Sequence, residues 1–433
     1  MNFAQDNLSL WMVAGAYFSF KLEYGNNLIL FICSNPLIFL RFIKQRKRNI
    51  VIPYSTQNIN DEDVQAVVDQ LRAPWLTQGP TVEAFGAALA EYCGSKYGIA
   101  VSNGTAALHL SLMALGIGPD ALVWTTPNSF AASANCARYV GADVDFVDID
   151  PKTFCMSVEA LEIKLAVARK AGRLPDALIP VHHSGLSCDM VSMRRLSSEY
   201  DFKIVEDACH ALGGSYQGHK IGNCEFSELT VSSFHPVKNI TTGEGGAVFT
   251  NCKATARKII LLRSHGITRN EDMMEFPDET PWHYEQVELG YNYRITDIQC
   301  ALGLSQLKRL DSWTKSRSNL AQRYDEMFES SPFAVQESMD GAVSARHLYV
   351  IRVPDNKRDA VGKALRKLDI FANVHYEPIH LHPYYRQLGF EVGSFPEAEA
   401  YGKDALSIPL YPELTFEQQE YVFNSIVKAY EEA

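Results

Sequence analysis

The sequence predicts an α/β protein: a large domain over residues 51–312 built on a mostly parallel sheet, and a small α/β domain over 313–433. Three observations carry that expectation. Short apolar runs at 97–101, 121–126, 177–181 and 202–207 alternate with helical patterns, the order that βαβ units produce. The runs end in clusters of small and polar residues, and ligands of parallel sheets gather at the carboxyl ends of strands. Past Ser330-Ser331-Pro332 the text turns more polar, and a second strand–helix–strand series follows over 347–374. A chain of 433 residues is long enough for two domains and a large core.

Residues 1–50 read as an N-terminal extension. Apolar runs at 28–33 and 37–40 are split by Ser34-Asn35-Pro36 and followed by a basic run at 41–48. A spanning helix needs about twenty unbroken apolar residues, and a secretory leader carries its charges ahead of its apolar run. A misassigned start, a membrane-surface segment with a basic flank and a packed appendage remain as readings. From Ile52 the text is that of a folded domain. Helices are expected from Asp61, over 80–91, after 102–107, over 157–170, 257–267, 301–310 and 357–368, and from a capped start at Thr415. Further strands are expected over 143–148, 347–353 and 370–374.

The most informative stretch is 231–246, Val-Ser-Ser-Phe-His-Pro-Val-Lys-Asn-Ile-Thr-Thr-Gly-Glu-Gly-Gly. Lys238 lies in a turn of small residues between two strand-like runs, five residues after Ser233. Glycines there let the backbone approach a flat ligand. An amine whose pKa such a site lowers can condense with a carbonyl cofactor. A surface lysine in a glycine-rich hairpin fits the same residues equally. Ser102-Asn-Gly-Thr-Ala-Ala107, between a strand and a helix, suits either an anion site at a helix N-terminus or plain capping by Ser102 or Asn103.

The segment Ser-Phe-His-Pro-Val-Lys-Asn-Ile-Thr-Thr-Gly-Glu-Gly-Gly resembles the cofactor-lysine segment of the DegT/DnrJ/EryC1/StrS sugar aminotransferases, and its wording is nearest to the branch in pseudaminic acid biosynthesis. The resemblance runs from about Ile52 to the C-terminus. It implies fold type I of the pyridoxal 5′-phosphate (PLP) enzymes, the aspartate aminotransferase-like fold. It further implies transfer of an amino group, with L-glutamate as donor and C4 of a UDP-linked keto sugar as acceptor. Members that dehydrate sugars carry histidine where this chain has Lys238.

Carried over residue by residue, the resemblance makes Lys238 the cofactor lysine and Asp207 the partner of the pyridine nitrogen. Gly104, Thr105, Ala106 and Ser233 would hold the phosphate. Phe130 would stack on the ring, and His210 would orient it. Asn292, in Gly-Tyr-Asn-Tyr-Arg, would reach the phosphate of a neighbouring subunit, so the site implies a homodimer, with Arg294 a second candidate. His375, Tyr376 and His380 would contact the sugar nucleotide. The wording at His182-His183-Ser184 and Asn239 departs from the commonest in the branch and bears on which sugar is used.

Composition narrows the partners. A net charge of −11 argues against nucleic acid. The nine cysteines are scattered without a Cys-x-x-Cys pair, which fits neither a zinc site nor a disulfide framework and suits a reducing cytoplasm. The histidines at 375, 380 and 382 are interrupted by Pro378 and followed by Pro383, so no metal is expected. Membrane contact is expected only through residues 1–50.

Overall fold

The computed structural model describes residues 51–278 and 280–433 and, before them, the backbone of three strands, Ser9–Val13, Tyr17–Tyr24 and Asn27–Cys33. These three form an antiparallel sheet in chain order. The runs at 37–40 and 41–48 lie outside the described residues. Contacts divide the chain into Met1–Val51 and Ile52–Ala433, and all that follows concerns the second unit. Among the described residues, no helix is long and apolar enough to cross a membrane.

A seven-stranded sheet organises the unit. Its strands are β1 (Tyr97–Val101), β2 (Leu122–Thr125), β3 (Asp143–Phe146), β4 (Ala177–Ile179), β5 (Lys203–Asp207), β6 (Leu229–Ser233) and β7 (Gly246–Thr250). The spatial order is β1-β7-β6-β5-β4-β2-β3. Only β7 runs against its neighbours. Strands such as Leu-Val-Trp-Thr and Ala-Leu-Ile are buried along their whole length, as a sheet covered on both faces requires. Val101, Leu108, Leu110 and Phe146 belong to one covering layer, and Trp124, Leu161, Leu178 and Met193 to another.

The covering helices begin where the chain offers caps. Helix α1 (Asp61–Arg72) starts with a capping box of Asn60 and Asp63. Helix α2 (Pro80–Cys93) starts at a proline, and the buried carboxylate of Asp297 accepts from the N–H groups of Gly79 (2.8 Å) and Thr81 (3.0 Å) there. Helices α3 (Gly104–Ala114), α4 (Ala132–Tyr139), α5 (Val158–Ala171), α6 (Met190–Tyr200) and α7 (Lys253–Leu262) complete the layers around the sheet. Helix α7 corrects the reading of 257–267 as helical. It starts earlier and stops at Leu262, because the following backbone is used elsewhere: His265 N–H donates to the Tyr291 carbonyl at 2.9 Å, and Ile267 pairs with Gln286.

Helices α8 (Asp297–Leu307) and α9 (Leu310–Phe328) lead into a three-stranded antiparallel sheet of β8 (Ala334–Val335), β9 (Tyr349–Arg352) and β10 (Ala405–Ile408). Helices α10 (Arg358–Lys367), α11 (Pro396–Asp404) and α12 (Phe416–Glu432) accompany it. Its core joins Leu320, Tyr324, Ile351, Val361 and Ile426 to Ile52, from the other end of the unit. The strand expected over 370–374 is two isolated bridges, Ile370 with Ile52 and Asn373 with Ser407. Leu410 N–H donates to the Tyr54 carbonyl at 2.9 Å, so residues 52–54 are fastened to this C-terminal layer.

Candidate active site

The carboxyl ends of β1, β2, β5 and β6 open onto a cavity of about 780 Å³. Gly104, Thr105, Ala106, Phe130, Asp207, His210, Ser233, Lys238, His375 and Tyr376 all line it. They come from stretches up to 270 residues apart, brought to one edge of one sheet by the strand order.

Lys238 follows β6 in a turn closed by its own N–H on the His235 carbonyl, 2.9 Å. Burial pushes its amine below the usual lysine range, against the opposing pull of Cys209 and Asp207. A neutral amine is the form that attacks a carbonyl or takes a proton. Asp207 ends β5 and is 5% exposed. Its Oδ1 accepts from the Cys209 N–H at 3.2 Å and its Oδ2 from the Ser133 hydroxyl at 2.7 Å.

The turn after β1 forms a cup at the N-terminus of α3. Asn103 caps the helix, its side-chain oxygen accepting from the Ala106 N–H at 2.8 Å. Capping is therefore real and consumes the Ala106 donor. Of the three helix-start residues expected to help hold a phosphate, Gly104 and Thr105 keep N–H groups without a partner among the described residues, and the helix dipole adds to both. A Cβ on Gly104 would sit 3.0 Å from the Cβ of Ser233 and 3.1 Å from Sγ of Cys209, so only glycine leaves the cup open.

The opposite wall is aromatic. Phe130 is 61% exposed and stands 6.2 Å, centroid to centroid, from Tyr376. His210 Nε2 lies 3.0 Å from the Tyr376 hydroxyl. Burial drives His210 and His347 well below the usual histidine range, with the Lys238 amine adding to the effect, and lowers His375 to about 4. Behind them His183, lowered to about 3 by burial, bonds the Tyr401 hydroxyl at 2.8 Å. Tyr376 is raised by burial and by the charge of Asp207. The other ring nitrogen of His210, Nδ1, is buried and has no partner among the described residues.

These residues fit PLP: a lysine amine, a carboxylate at the end of the cavity, two free N–H groups with a serine for a phosphate, and an open aromatic face for a ring.

Three predicted residues do not line the cavity. His380 is fully buried, with Nε2 3.0 Å from the Glu399 carboxylate and its ring 4.8 Å from Phe395, so it braces the C-terminal layer rather than meeting a ligand. Asn292 is exposed and bridges Ser264. Tyr291 and Tyr293 flank it and turn the other way, onto His109, as strand-like alternation dictates. Arg294 lines a separate pocket of about 120 Å³ with Arg263 and Gln78. Sequence reasoning missed Tyr54, Tyr293, His347 and Asn373, all of which line the cavity. For Tyr293 the signal was present in the alternation of Tyr291-Asn292-Tyr293. Among the described residues no group of three or more His, Cys, Asp or Glu side chains is placed to hold a metal ion.

The DegT/DnrJ/EryC1/StrS aminotransferase family model matches residues 57–427. A UDP-4-amino-4,6-dideoxy-N-acetyl-beta-L-altrosamine transaminase from Campylobacter jejuni is 36% identical over 380 residues, 87% of this chain and 96% of that protein. Among solved structures, Spr1654 from Streptococcus pneumoniae, named as a sugar aminotransferase and solved in its PMP form, matches with a TM-score of 0.81 at 30% identity, over 88% of this chain and 99% of that one. Helicobacter pylori PseC, an aminotransferase involved in the biosynthesis of pseudoaminic acid, matches with a TM-score of 0.80 at 31% identity, over 88% of this chain and all of that one. With a cavity whose residues fit PLP and a match along nearly the whole of the second unit, this chain belongs to the DegT/DnrJ/EryC1/StrS family and is a PLP-dependent sugar aminotransferase of fold type I.

Proposed function

We propose that the enzyme moves the amino group of L-glutamate to C4 of a UDP-linked 4-keto-6-deoxy-N-acetylhexosamine. The product is then UDP-4-amino-4,6-dideoxy-N-acetyl-β-L-altrosamine, in pseudaminic acid biosynthesis. The observation that carries transamination is the Lys238 amine, its pKa lowered by burial, in the same cavity as Asp207. The choice of sugar is supported by the likeness to the Campylobacter transaminase and to PseC.

In this reading PLP, when bound, supplies a carbonyl for amines to join and a ring that draws electrons from the adjacent carbon. Lys238 would hold that carbonyl carbon, and its Nζ would serve as base and then as acid for the proton on the donor's Cα. Asp207 keeps the ring nitrogen protonated. Gly104, Thr105 and Ser233 hold the phosphate, and Phe130 covers the ring. His210 orients the ring from beside it. His375 and Tyr376 face the sugar. In a homodimer, the exposed Asn292 reaches the second copy's phosphate, and Arg294 stands beside it.

The test is spectroscopic and then synthetic. Protein loaded with PLP should show a visible band that glutamate bleaches, and Lys238→Ala should lack the band. The pyridoxamine-charged enzyme should then aminate the 4-keto sugar at least tenfold faster than nucleotide-linked 3-keto or other 4-keto sugars. A preference for one of those instead makes the enzyme an aminotransferase of another keto sugar, the alternative that the departures at His182-His183-Ser184 and Asn239 keep open. A band that ignores every amino donor overturns the enzymatic reading and leaves a PLP-binding regulatory protein.

A further inference from the structure

Asp207 takes part in a chain of hydroxyls that its role as a ring partner does not by itself require. Ser133, on α4, is 0% exposed and donates its hydroxyl proton to Asp207 Oδ2 at 2.7 Å. The Ser129 hydroxyl lies 2.7 Å from Ser133 Oγ and is 3% exposed. A hydroxyl has one proton. Since Ser133 spends its proton on the carboxylate, Ser129 must be the donor of the second bond. The chain therefore has one polarity, Ser129 to Ser133 to Asp207, and its first member lines the cavity. The other oxygen, Oδ1, receives one backbone N–H, from Cys209 at 3.2 Å. The cation facing the carboxylate across the cavity is Lys238, whose amine burial holds toward neutrality.

We infer that Ser133, backed by Ser129, is a positioning residue for the reaction: its hydroxyl fixes the orientation of the Asp207 carboxylate, and through it the proton on the cofactor's ring nitrogen. A hydrogen bond to a carboxylate is among the stronger ones, and a second hydroxyl behind the first strengthens it. Both residues sit on the segment that follows β2, so one loop supplies the Phe130 face and also tunes the group at the far end of the ring. This rests on the placement of Asp207 against the pyridine nitrogen.

The test compares Ser133→Ala, Ser133→Thr, Ser129→Ala and Asp207→Asn in PLP-loaded enzyme. Far-ultraviolet circular dichroism and thermal unfolding check that each has folded. Three quantities are read: the PLP dissociation constant, the pH midpoint of the visible band, and kcat separately from KM. Without the Ser133 hydroxyl the ring nitrogen holds its proton less well. The nitrogen joining the cofactor to Lys238 becomes more basic, so the midpoint should rise by about one pH unit and kcat should fall about tenfold. KM for both substrates should stay within about twofold. Ser133→Thr should restore both, and Ser129→Ala should give a smaller change in the same direction. A shift in Asp207→Asn with none in Ser133→Ala overturns this inference while sparing the role of Asp207. No shift in either overturns that role as well. A Ser133→Ala loss that appears only in melting temperature, and that threonine does not rescue, makes the serine structural and also overturns the inference.

Discussion

Burial is the leading influence on each of the four histidines behind and beside Lys238: His183, His210, His347 and His375. Each has a folded-state pKa below its ordinary 6.5, so the folded protein binds fewer protons than the unfolded chain as acid is added. The stability they lend is complete above that value and is lost as pH falls toward about 4 and 3, the folded values of His375 and His183. Each such histidine steepens the loss by up to about 1.4 kcal/mol per pH unit inside that window. Melting temperature should hold level from pH 8 to 7 and drop between pH 6.5 and 4.5, above the range in which ordinary carboxylates titrate. His183→Gln, which keeps a partner for Tyr401, should flatten part of the drop. A melting temperature unchanged down to pH 4.5 would contradict the burial of these rings. At this scale Lys238 and Asp207 were legible because Asp207 ends one strand and Lys238 stands in the small-residue turn after the next. Tyr54, His347 and Asn373 were not, since each reaches the cavity on a segment fastened by partners far off in sequence, such as Leu410 and Ser407.

Among the elements, α3 shows how closely two readings of one motif can coexist. Asn103 is a cap that costs about 1 kcal/mol to remove, and the same turn leaves two donors for an anion. Gly104→Val should close the cup against Ser233 and Cys209. PLP affinity should fall more than tenfold with little change in circular dichroism, measured by equilibrium dialysis; retained affinity would move the phosphate elsewhere. Capping boxes at α1, α8 and α12 were written in the sequence as Asn60-Asp63, Thr296-Gln299 and Thr415-Gln418. The end of α7 was not: Arg263-Ser264-His265 gives no sharp stop, and the backbone after Leu262 is claimed by residues 286–292, far off in sequence. His380 lies away from the cavity for a similar reason. Its partner Glu399 lies on α11, and nothing near His380 in the sequence announces it.

For the whole molecule, the exposed position of Asn292 sets a test of assembly. If it serves the second copy's site, Lys238→Ala and Asn292→Ala proteins, each nearly inactive alone, should regain activity when unfolded together and refolded as a mixture. Random pairing leaves roughly a quarter of the sites intact in a two-fold dimer. No recovery would place Asn292 outside the partner's site. A chain starting at Val51 keeps Ile52 in its core, and its kcat should match that of the full chain within about twofold. A larger loss would give residues 1–50 a part in the site.

The fastening of residues 52–54 to the C-terminal layer has a consequence for how the protein is made. Tyr54 faces the cavity, but its backbone is held by Leu410, and Ser407 holds His375 at 2.8 Å. Arg317, 2% exposed, ties the carbonyls of Leu410 (2.7 Å) and His347 (3.2 Å) from within. A ribosome that has delivered Lys238, Asp207 and the whole seven-stranded sheet has therefore not yet delivered the wall that closes them in. Nascent chains stalled before β10 emerges should leave the lysine open to water and to stray aldehydes, and stalled chains long enough to expose residue 410 should be the first to retain PLP through gel filtration.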